Sequence, residues 1–184
     1  MTAARTTYLL VDGENIDATL GASVLGRRPQ PEERPRWQRL LEHAEDRWEQ
    51  DVKALFFLAA NDELPLSFVQ ALMAMGYTPV PLSGPGKVVD IAIQRTAEAL
   101  QDRPADVMLV SHDKDFVPQM TDLAATRDRR TALVGFREFM ATDLQDIPGI
   151  EFHDLEYDVH AFTSRLPRVR IIDIDEFDPL EFIL

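Results

Sequence analysis

The stretch Tyr8-Leu9-Leu10-Val11-Asp12-Gly13-Glu14-Asn15 decides how the rest of this chain is interpreted. Four residues suited to a buried strand lead directly into an acid, a glycine, a second acid and an amide. A strand that ends on a carboxylate fixes that carboxylate at one edge of its sheet. Gly13 allows the backbone to turn sharply at that point because it has no Cβ. The pattern predicts a buried strand that presents Asp12 at a functional edge.

Further along the chain the same pattern recurs, and strand-like and helical segments alternate between the two copies. The second copy is Val107-Met108-Leu109-Val110 followed by Ser111-His112-Asp113-Lys114-Asp115-Phe116. Apolar runs and helical periodicity predict strands near 5–11, 52–59, 77–82, 106–111 and 131–135, and helices near 15–26, 36–50, 65–75, 88–100 and 115–127. The prolines in 77–82 limit that strand to a short or edge position. Residues 150–155 and 168–174 are candidates for additional strands. The alternation predicts an α/β fold in which a central parallel sheet is covered by helices on both faces.

Length and composition fit one domain with an extension. The chain has 184 residues, 45% of them apolar, which is enough for a proper core. It has no cysteine, which excludes disulfides, thiolate zinc sites and a cysteine nucleophile. Residues 1–7 are too short and polar for a signal peptide, and no apolar run reaches membrane length. We therefore expect a cytoplasmic protein without a membrane span.

The net charge of −13 argues against a nucleic-acid partner, because phosphate contacts need Lys and Arg. The charge is unevenly distributed, however. Residues 141–184 contain 11 acidic and 3 basic side chains, a net of −8, whereas residues 1–140 have a net of only −5. Acidity therefore lowers the expectation of nucleic-acid binding without excluding it.

Acidic side chains are the best candidates for chemistry. Sites in parallel sheets form at the carboxyl ends of the strands, where both acidic stretches are expected. Asp90 lies in the first turn of the helix after the loop Ser83-Gly84-Pro85-Gly86-Lys87, next to the same edge. The candidate set is Asp12, Glu14, Asn15, Asp90, Asp113 and Asp115. Clustered carboxylates without His or Cys suit a hard cation such as Mg²⁺ or Mn²⁺, and such ions promote hydrolysis of phosphodiesters.

Several of these acids also have an ordinary explanation. An Asp at a helix start is common for capping and for the helix dipole alone, which covers Asp90, Asp113 and Asp115 individually. Asp12 has no obvious capping duty. Ser111 is a candidate for capping or for phosphate binding. His112 is interpreted as an exposed turn histidine rather than a base.

Three motifs together resemble NYN domains, which belong to the PIN-like nuclease superfamily. They are Val11-Asp12-Gly13-Glu14-Asn15, Lys87-Val88-Val89-Asp90 and Ser111-His112-Asp113-Lys114-Asp115-Phe116. The resemblance covers about residues 5–140. It implies a Rossmann-like, PIN-like three-layer αβα fold and metal-dependent cleavage of RNA. It also implies that Asp12, Asp90 and Asp113 hold the metal, with Asp115 a further acid and Asn15 a polar partner in catalysis. His112 and Val88 depart from the pattern, since glycine is frequent at both positions.

Candidates for RNA contact are Lys87 and Ser111 beside the acids, and the basic cluster Arg127, Arg129 and Arg130. A helix C-terminus is an equal alternative explanation for that cluster. The loop and helix start that carry Arg27, Arg28, Arg34, Arg36 and Arg39 provide a second candidate patch.

These observations lead to three functional hypotheses. The first is a divalent-metal-dependent endoribonuclease that acts on single-stranded or structured RNA. The second is an RNA- or protein-binding NYN module with little turnover. The third is a different acid-lined phosphoryl enzyme. The sequence disfavours it because no phosphatase Asp-x-Asp motif follows the first strand.

The expected domain division is 1–150 for the nuclease domain and 151–184 for an acidic extension. Residues 156–184 mix acids with large apolar side chains. This tail either mediates a homodimer, lies across a basic patch as an RNA mimic, or simply completes the fold.

Overall fold

A computed structural model describes residues 4–184 and has a single parallel sheet at its centre. The strands are β1 (Thr6–Asp12), β2 (Val52–Ala59), β3 (Thr78–Leu82), β4 (Ala105–Val110), β5 (Thr131–Gly135) and β6 (Glu151–Asp154). Their order across the sheet is β3-β2-β1-β4-β5-β6, and every neighbouring pair is parallel. The short, proline-containing β3 lies at an edge, as its sequence predicts.

Helices connect the strands. They are α1 (Gly13–Thr19), α2 (Trp37–Trp48), α3 (Leu66–Met75), α4 (Val88–Leu100), α5 (Val117–Ala125), α6 (Thr142–Gln145) and α7 (Leu180–Ile183). A π-helical segment, Leu20–Leu25, continues α1 and ends at Gly26, whose φ of 71° is the left-handed conformation that glycine adopts freely. Short 3₁₀ turns at Lys114–Phe116 and Arg137–Phe139 follow β4 and β5.

Alternate residues of the central strand face two different apolar layers. Leu9 and Val11 of β1 pack in the layer that includes α1, α2 and α3, whereas Leu10 packs in the layer that includes α4, α5 and α6. Both layers are composed mainly of fully buried side chains. The predicted three-layer αβα fold with a parallel sheet is therefore confirmed.

The sheet and core continue beyond residue 150. Strand β6 pairs with β5, and the segment after it contributes Leu155, Val159, Ala161 and Leu166 to the buried core. Further along the chain, Arg168 forms ion pairs with Glu138, Asp154 and Glu156. The fold therefore includes the first part of the region that the sequence assigns to an extension.

One predicted strand is wrong. Residues 168–174 form no strand. Val169 and Ile171 are more than 80% exposed, so this β-branched segment has no neighbouring strand to pair with, and propensity alone does not form a sheet. In the described part of the chain, no helix is both long and apolar enough to cross a membrane.

Candidate active site at the carboxyl edge

The acids gather where the order of the sheet reverses. The chain leaves β1 towards β2 on one side and later returns to place β4 on the other, which opens a crevice at the carboxyl ends of these two strands. Asp12 ends β1, and Asp113 follows β4 after two residues. The start of α4 brings Asp90 to the same crevice, and all three residues line one cavity of about 360 Å³.

Three carboxylates are mutually close. Oxygen atoms of Asp90, Asp113 and Asp115 lie within 4.8 Å of one another. Asp115 adopts its position because its backbone N–H donates a 2.9 Å hydrogen bond to Asp113 Oδ1. The pKa of Asp90 is raised, first by partial burial and then by the negative charge of Asp113. Such a set has the oxygen donors and the uncompensated charge that fit a hard divalent cation.

Asp12 lies in the same cavity but outside this close group. It is 3% exposed, and it accepts hydrogen bonds from the Ser111 hydroxyl at 3.0 Å and from the Asn15 backbone N–H at 3.4 Å. The bond from Asn15 makes Asp12 the N-cap of α1, so the expectation that it has no capping role is wrong. Burial is the main reason why its pKa rises to about 6, and the charges of Asp90 and Glu14 add to the rise. The cavity therefore has one deeply buried acid, Asp12, beside Asp90 and Asp113, which belong to the close group with Asp115.

Lys87 is the cation nearest to the cluster. Its Nζ lies 3.0 Å from Asp115 Oδ2 and 4.0 Å from Asp90 Oδ2, on a side chain that is 72% exposed. These acids raise the pKa of Lys87, Asp115 most of all through its hydrogen bond. An exposed lysine is easily displaced because surface ion pairs contribute little energy. The Lys87 ammonium is therefore placed either to occupy a metal position until an ion binds or to contact a phosphate.

Asn15 is held by His112. Asn15 Oδ1 accepts hydrogen bonds from the backbone N–H of His112 and from its ring Nδ1, both at 2.9 Å. The other ring nitrogen, Nε2, accepts the N–H of Phe136 at 2.8 Å, so Nδ1 carries the proton. The Asn15 amide N–H₂ donates to no acceptor within residues 4–184, and its residue lines the acidic cavity. This donor is therefore available to a ligand.

The interpretation of His112 as an exposed turn residue is wrong. His112 is 6% exposed and its ring stacks on Phe136. Burial lowers its pKa to about 4, so the ring is neutral at physiological pH. The local sequence had no signal for this role, because the residues that hydrogen-bond to the His112 ring lie in α1 and at the end of β5.

Ser111 has the capping role that was one of its two predicted alternatives. It is fully buried, its Oγ accepts the backbone N–H of Asp113 at 3.3 Å, and its hydroxyl donates to Asp12. Two arginines of the predicted cluster are engaged within the fold. Arg129 is 9% exposed and donates to the carbonyls of Leu100, Gln101 and Arg103.

The cluster lies away from the acids. Arg130 pairs with Asp106. Together with the exposed Arg127, these arginines lie before β5, at the amino ends of the strands, whereas the acids lie at the carboxyl ends. The cluster therefore does not extend the acidic site.

The second basic patch lies closer to the acids. Arg34 lines a cleft that shares Glu14 and Ala59 with the acidic cavity. Its guanidinium is 3.5 Å from Asp17, and both side chains are almost half exposed. Arg27 is engaged by Glu33, and Arg39 by the carbonyls of His160 and Phe162.

Comparison with solved structures finds a similar fold. One match is the crystal structure of a protein of unknown function from Vibrio parahaemolyticus, with a TM-score of 0.68 and 17% identity, and the match covers 86% of this chain and 98% of that one. At this identity the likeness concerns the fold alone. Comparison with curated proteins gave no match.

A family model accounts for the combination of sheet and acids. The NYN domain model matches residues 6–156, from the start of β1 to the residues just after β6. The match includes all three motifs that line the acidic cavity, and it covers most of the chain. The chain belongs to the NYN domain family.

Proposed function

We propose that this chain is a metal-dependent ribonuclease that hydrolyses RNA phosphodiester bonds at its aspartate cluster. The observation that supports it most is the group of Asp90, Asp113 and Asp115, whose oxygens lie within 4.8 Å of one another. Membership of a family related to PIN-like nucleases supports the same reading.

Asp90, Asp113 and Asp115 would hold Mg²⁺ or Mn²⁺, and Asp12 would complete the set of oxygen ligands from the floor of the cavity. A bound divalent ion supplies an activated water and stabilises negative charge at the phosphate. The protein's own groups bind and orient. The Asn15 amide, held by His112, would donate to a phosphate oxygen or to the attacking water, and Lys87 would turn from Asp115 to the phosphate.

An NYN module that binds RNA or protein with little turnover is the second candidate. The contact of Lys87 Nζ with Asp115 at 3.0 Å favours it, because an ammonium held there competes with a metal ion for the same carboxylate. The two candidates differ in whether metal displaces Lys87 and whether RNA is then cut.

The test is cleavage of a 5′-labelled single-stranded RNA in Mn²⁺, in Mg²⁺ and in EDTA. Asp12→Asn and Asp113→Asn should each reduce cleavage by at least about 100-fold, since they remove groups that act on the reacting atoms. Asp122→Asn is the matched control, because Asp122 is an exposed acid on α5 outside the cavity. Metal-independent cutting, or equal cutting by wild type and both site variants, would refute the nuclease. Mn²⁺ binding without cutting of several RNAs would favour the binding module.

A further inference from the structure

A second cavity opens beside the acidic one. It has a volume of about 340 Å³, and Glu14 and Ala59 line both cavities. The walls of this cleft are mainly apolar and include Trp37, Phe56, Pro65 and Phe68, with Arg34 among the residues that line it. A ligand whose charged group lies at the aspartates can therefore extend directly into an aromatic cleft.

The aromatic wall is rigid. The Phe56 ring, 3% exposed, makes edge-to-face contacts with Trp37 at 5.0 Å and with Phe68 at 5.4 Å between ring centres. Its tip lies against the backbone of Gly13, where an added Cβ would be 2.4 Å from the ring. Glycine is therefore required at position 13 by the close approach of the Phe56 ring.

The mouth of the cleft remains open to solvent. Phe68 is 37% exposed, and the neighbouring Leu64 and Leu66 are 40% and 58% exposed. Clustered exposed apolar side chains next to a polar site mark a binding surface more often than a stability feature.

Polar groups frame this apolar surface. Glu14 is fixed between the two cavities because its Oε1 accepts the backbone N–H of Ala59 at 3.1 Å. The Arg34 guanidinium faces Asp17 and offers a cation for a phosphate. Of the aromatic rings that line the cleft, Phe68 is the one with substantial exposure and is the ring on which a base could stack. An exposed aromatic ring, a carboxylate that accepts from exocyclic amines and an arginine for the backbone are the groups that recognise unstacked nucleotides.

We propose that this cleft binds one unpaired nucleobase next to the phosphodiester that lies at the aspartates. The inference rests on the proposed function and deepens it, since it assigns single-stranded RNA as the substrate class. A base within a duplex is paired and stacked on its neighbours and cannot enter such a cleft without being flipped out. Continuity with the acidic cavity favours a nucleotide over an apolar protein side chain, which would have no use for the adjacent carboxylates.

The first arm of the test measures cleavage of a single-stranded RNA in which one abasic residue is moved along the chain. Wild type should lose about tenfold in kcat/KM when the abasic residue flanks the cut site, as expected for one lost stacking contact. Phe68→Ala should lose a similar factor on intact RNA and become indifferent to the abasic residue. Met73→Ala is the matched control, since Met73 is a 62% exposed apolar residue on the same helix outside the cleft.

The second arm needs no turnover. Trp48→Phe leaves Trp37, which lines the cleft, as the one tryptophan of the chain. With Mg²⁺ present and cleavage blocked by Asp113→Asn, a single-stranded RNA oligonucleotide should quench Trp37 fluorescence, its preformed duplex should not, and Phe68→Ala should weaken the quenching. A single strand that leaves Trp37 unchanged would overturn the proposal.

The failures of the two proposals are distinguishable. If RNA is cut but neither the abasic residue nor Phe68→Ala has an effect, the nuclease stands and the cleft proposal is overturned. If RNA is not cut but quenching is strand-specific and depends on Phe68, the cleft proposal is supported and the nuclease is refuted.

Discussion

Two buried aspartates lie at opposite ends of neighbouring strands, and they differ in their hydrogen-bond and charge partners. Asp106, at the amino end of β4, is fully buried and accepts from the side chains of Arg5, Gln50 and Arg130 and from the Arg130 backbone N–H. Within residues 4–184, Asp12, at the carboxyl end of β1, accepts only from Ser111 and Asn15, and it has other acids as neighbours. The Asp106 carboxylate is therefore paired with two arginines, whereas Asp12 has no ion pair in this part of the chain.

The two pKa shifts express this difference. Burial opposes ionisation of Asp106, yet the hydrogen bonds from Arg130, Gln50 and Arg5 outweigh it and lower its pKa. Burial is not outweighed at Asp12, whose pKa rises to about 6. A buried acid whose partners are incomplete is a candidate functional group, whereas one with complete partners is structural.

The largest expected effect concerns Asp106. Asp106→Asn removes the charge that Arg5 and Arg130 face, so we expect a loss of about 3 kcal/mol in the free energy of unfolding. Urea denaturation measures it, with Asp102→Asn as the control because Asp102 is an exposed acid in the turn before β4. An Asp106→Asn protein as stable as wild type would remove the contrast between the two aspartates.

His112 links the acidic edge to the end of β5. His112→Ala leaves the Phe136 N–H without its acceptor and removes the ring's hydrogen bond to Asn15 while the backbone one remains, so we expect a loss of about 2 kcal/mol in stability and a roughly tenfold lower kcat. His160→Ala, at an exposed position, controls for histidine removal. A stability loss with an unchanged kcat would mean that Asn15 does not need the hydrogen bond from the His112 ring.

A histidine pair provides a buried polar contact that is held neutral. His43 Nε2 and His153 Nδ1 are 3.0 Å apart. Burial lowers both pKa values, that of His43 to about 4. The unfolded chain takes up these protons below about pH 6.5 and the folded protein does so only at lower pH, so stability should fall as pH falls from 6.5 to 4.

Thermal unfolding across this pH range measures the effect, and we expect roughly 1–2 kcal/mol. The His43→Gln/His153→Gln double variant should have a flatter acid limb than wild type. Equal slopes in the two proteins would assign the acid sensitivity elsewhere.

Asp12→Asn should change the free energy of unfolding in the opposite direction to Asp106→Asn. Asp12→Asn removes a buried charge whose folded-state pKa is raised, so without metal it should stabilise the protein by about 1–2 kcal/mol at pH 8. Mn²⁺ should then raise the melting temperature of wild type more than that of the variant. A destabilised Asp12→Asn protein in EDTA would mean that this carboxylate is structural.

The smallest stability effect is expected at the tail. Residues 173–184 include exposed apolar side chains such as Ile174, Phe182 and Ile183, and a chain that ends at Ile172 keeps Arg168 and its partners. We expect its stability to change by less than about 0.5 kcal/mol. Light scattering of both chains tests the prediction of a homodimer. Unchanged mass and unchanged RNA affinity would remove both specific roles for the tail.

The sequence was informative where a pattern repeats along one strand or helix. Buried strands and amphipathic helices have local periodicity, and parallel strands bring their carboxyl ends to one edge, so the meeting of Asp12, Asp90 and Asp113 could be predicted. The roles of His112, Arg129 and Arg168 could not, because each depends on partners from distant segments. The strand predicted at 168–174 failed for a similar reason, since pairing requires a neighbour that the local sequence does not specify.

The pairing of β1 with β4 also has a consequence for synthesis. Val11 aligns with Val110 across the sheet, so nearly a hundred residues separate the two segments that close the acidic crevice. During translation the amino-terminal half can build β1, β2 and their helices, but Asp113 and Asp115 are added later, and such non-local pairing forms slowly. A nascent chain therefore has no complete set of acids until β4 has been made and has paired with β1. If the chain has the proposed activity, a partly made copy would not yet carry it.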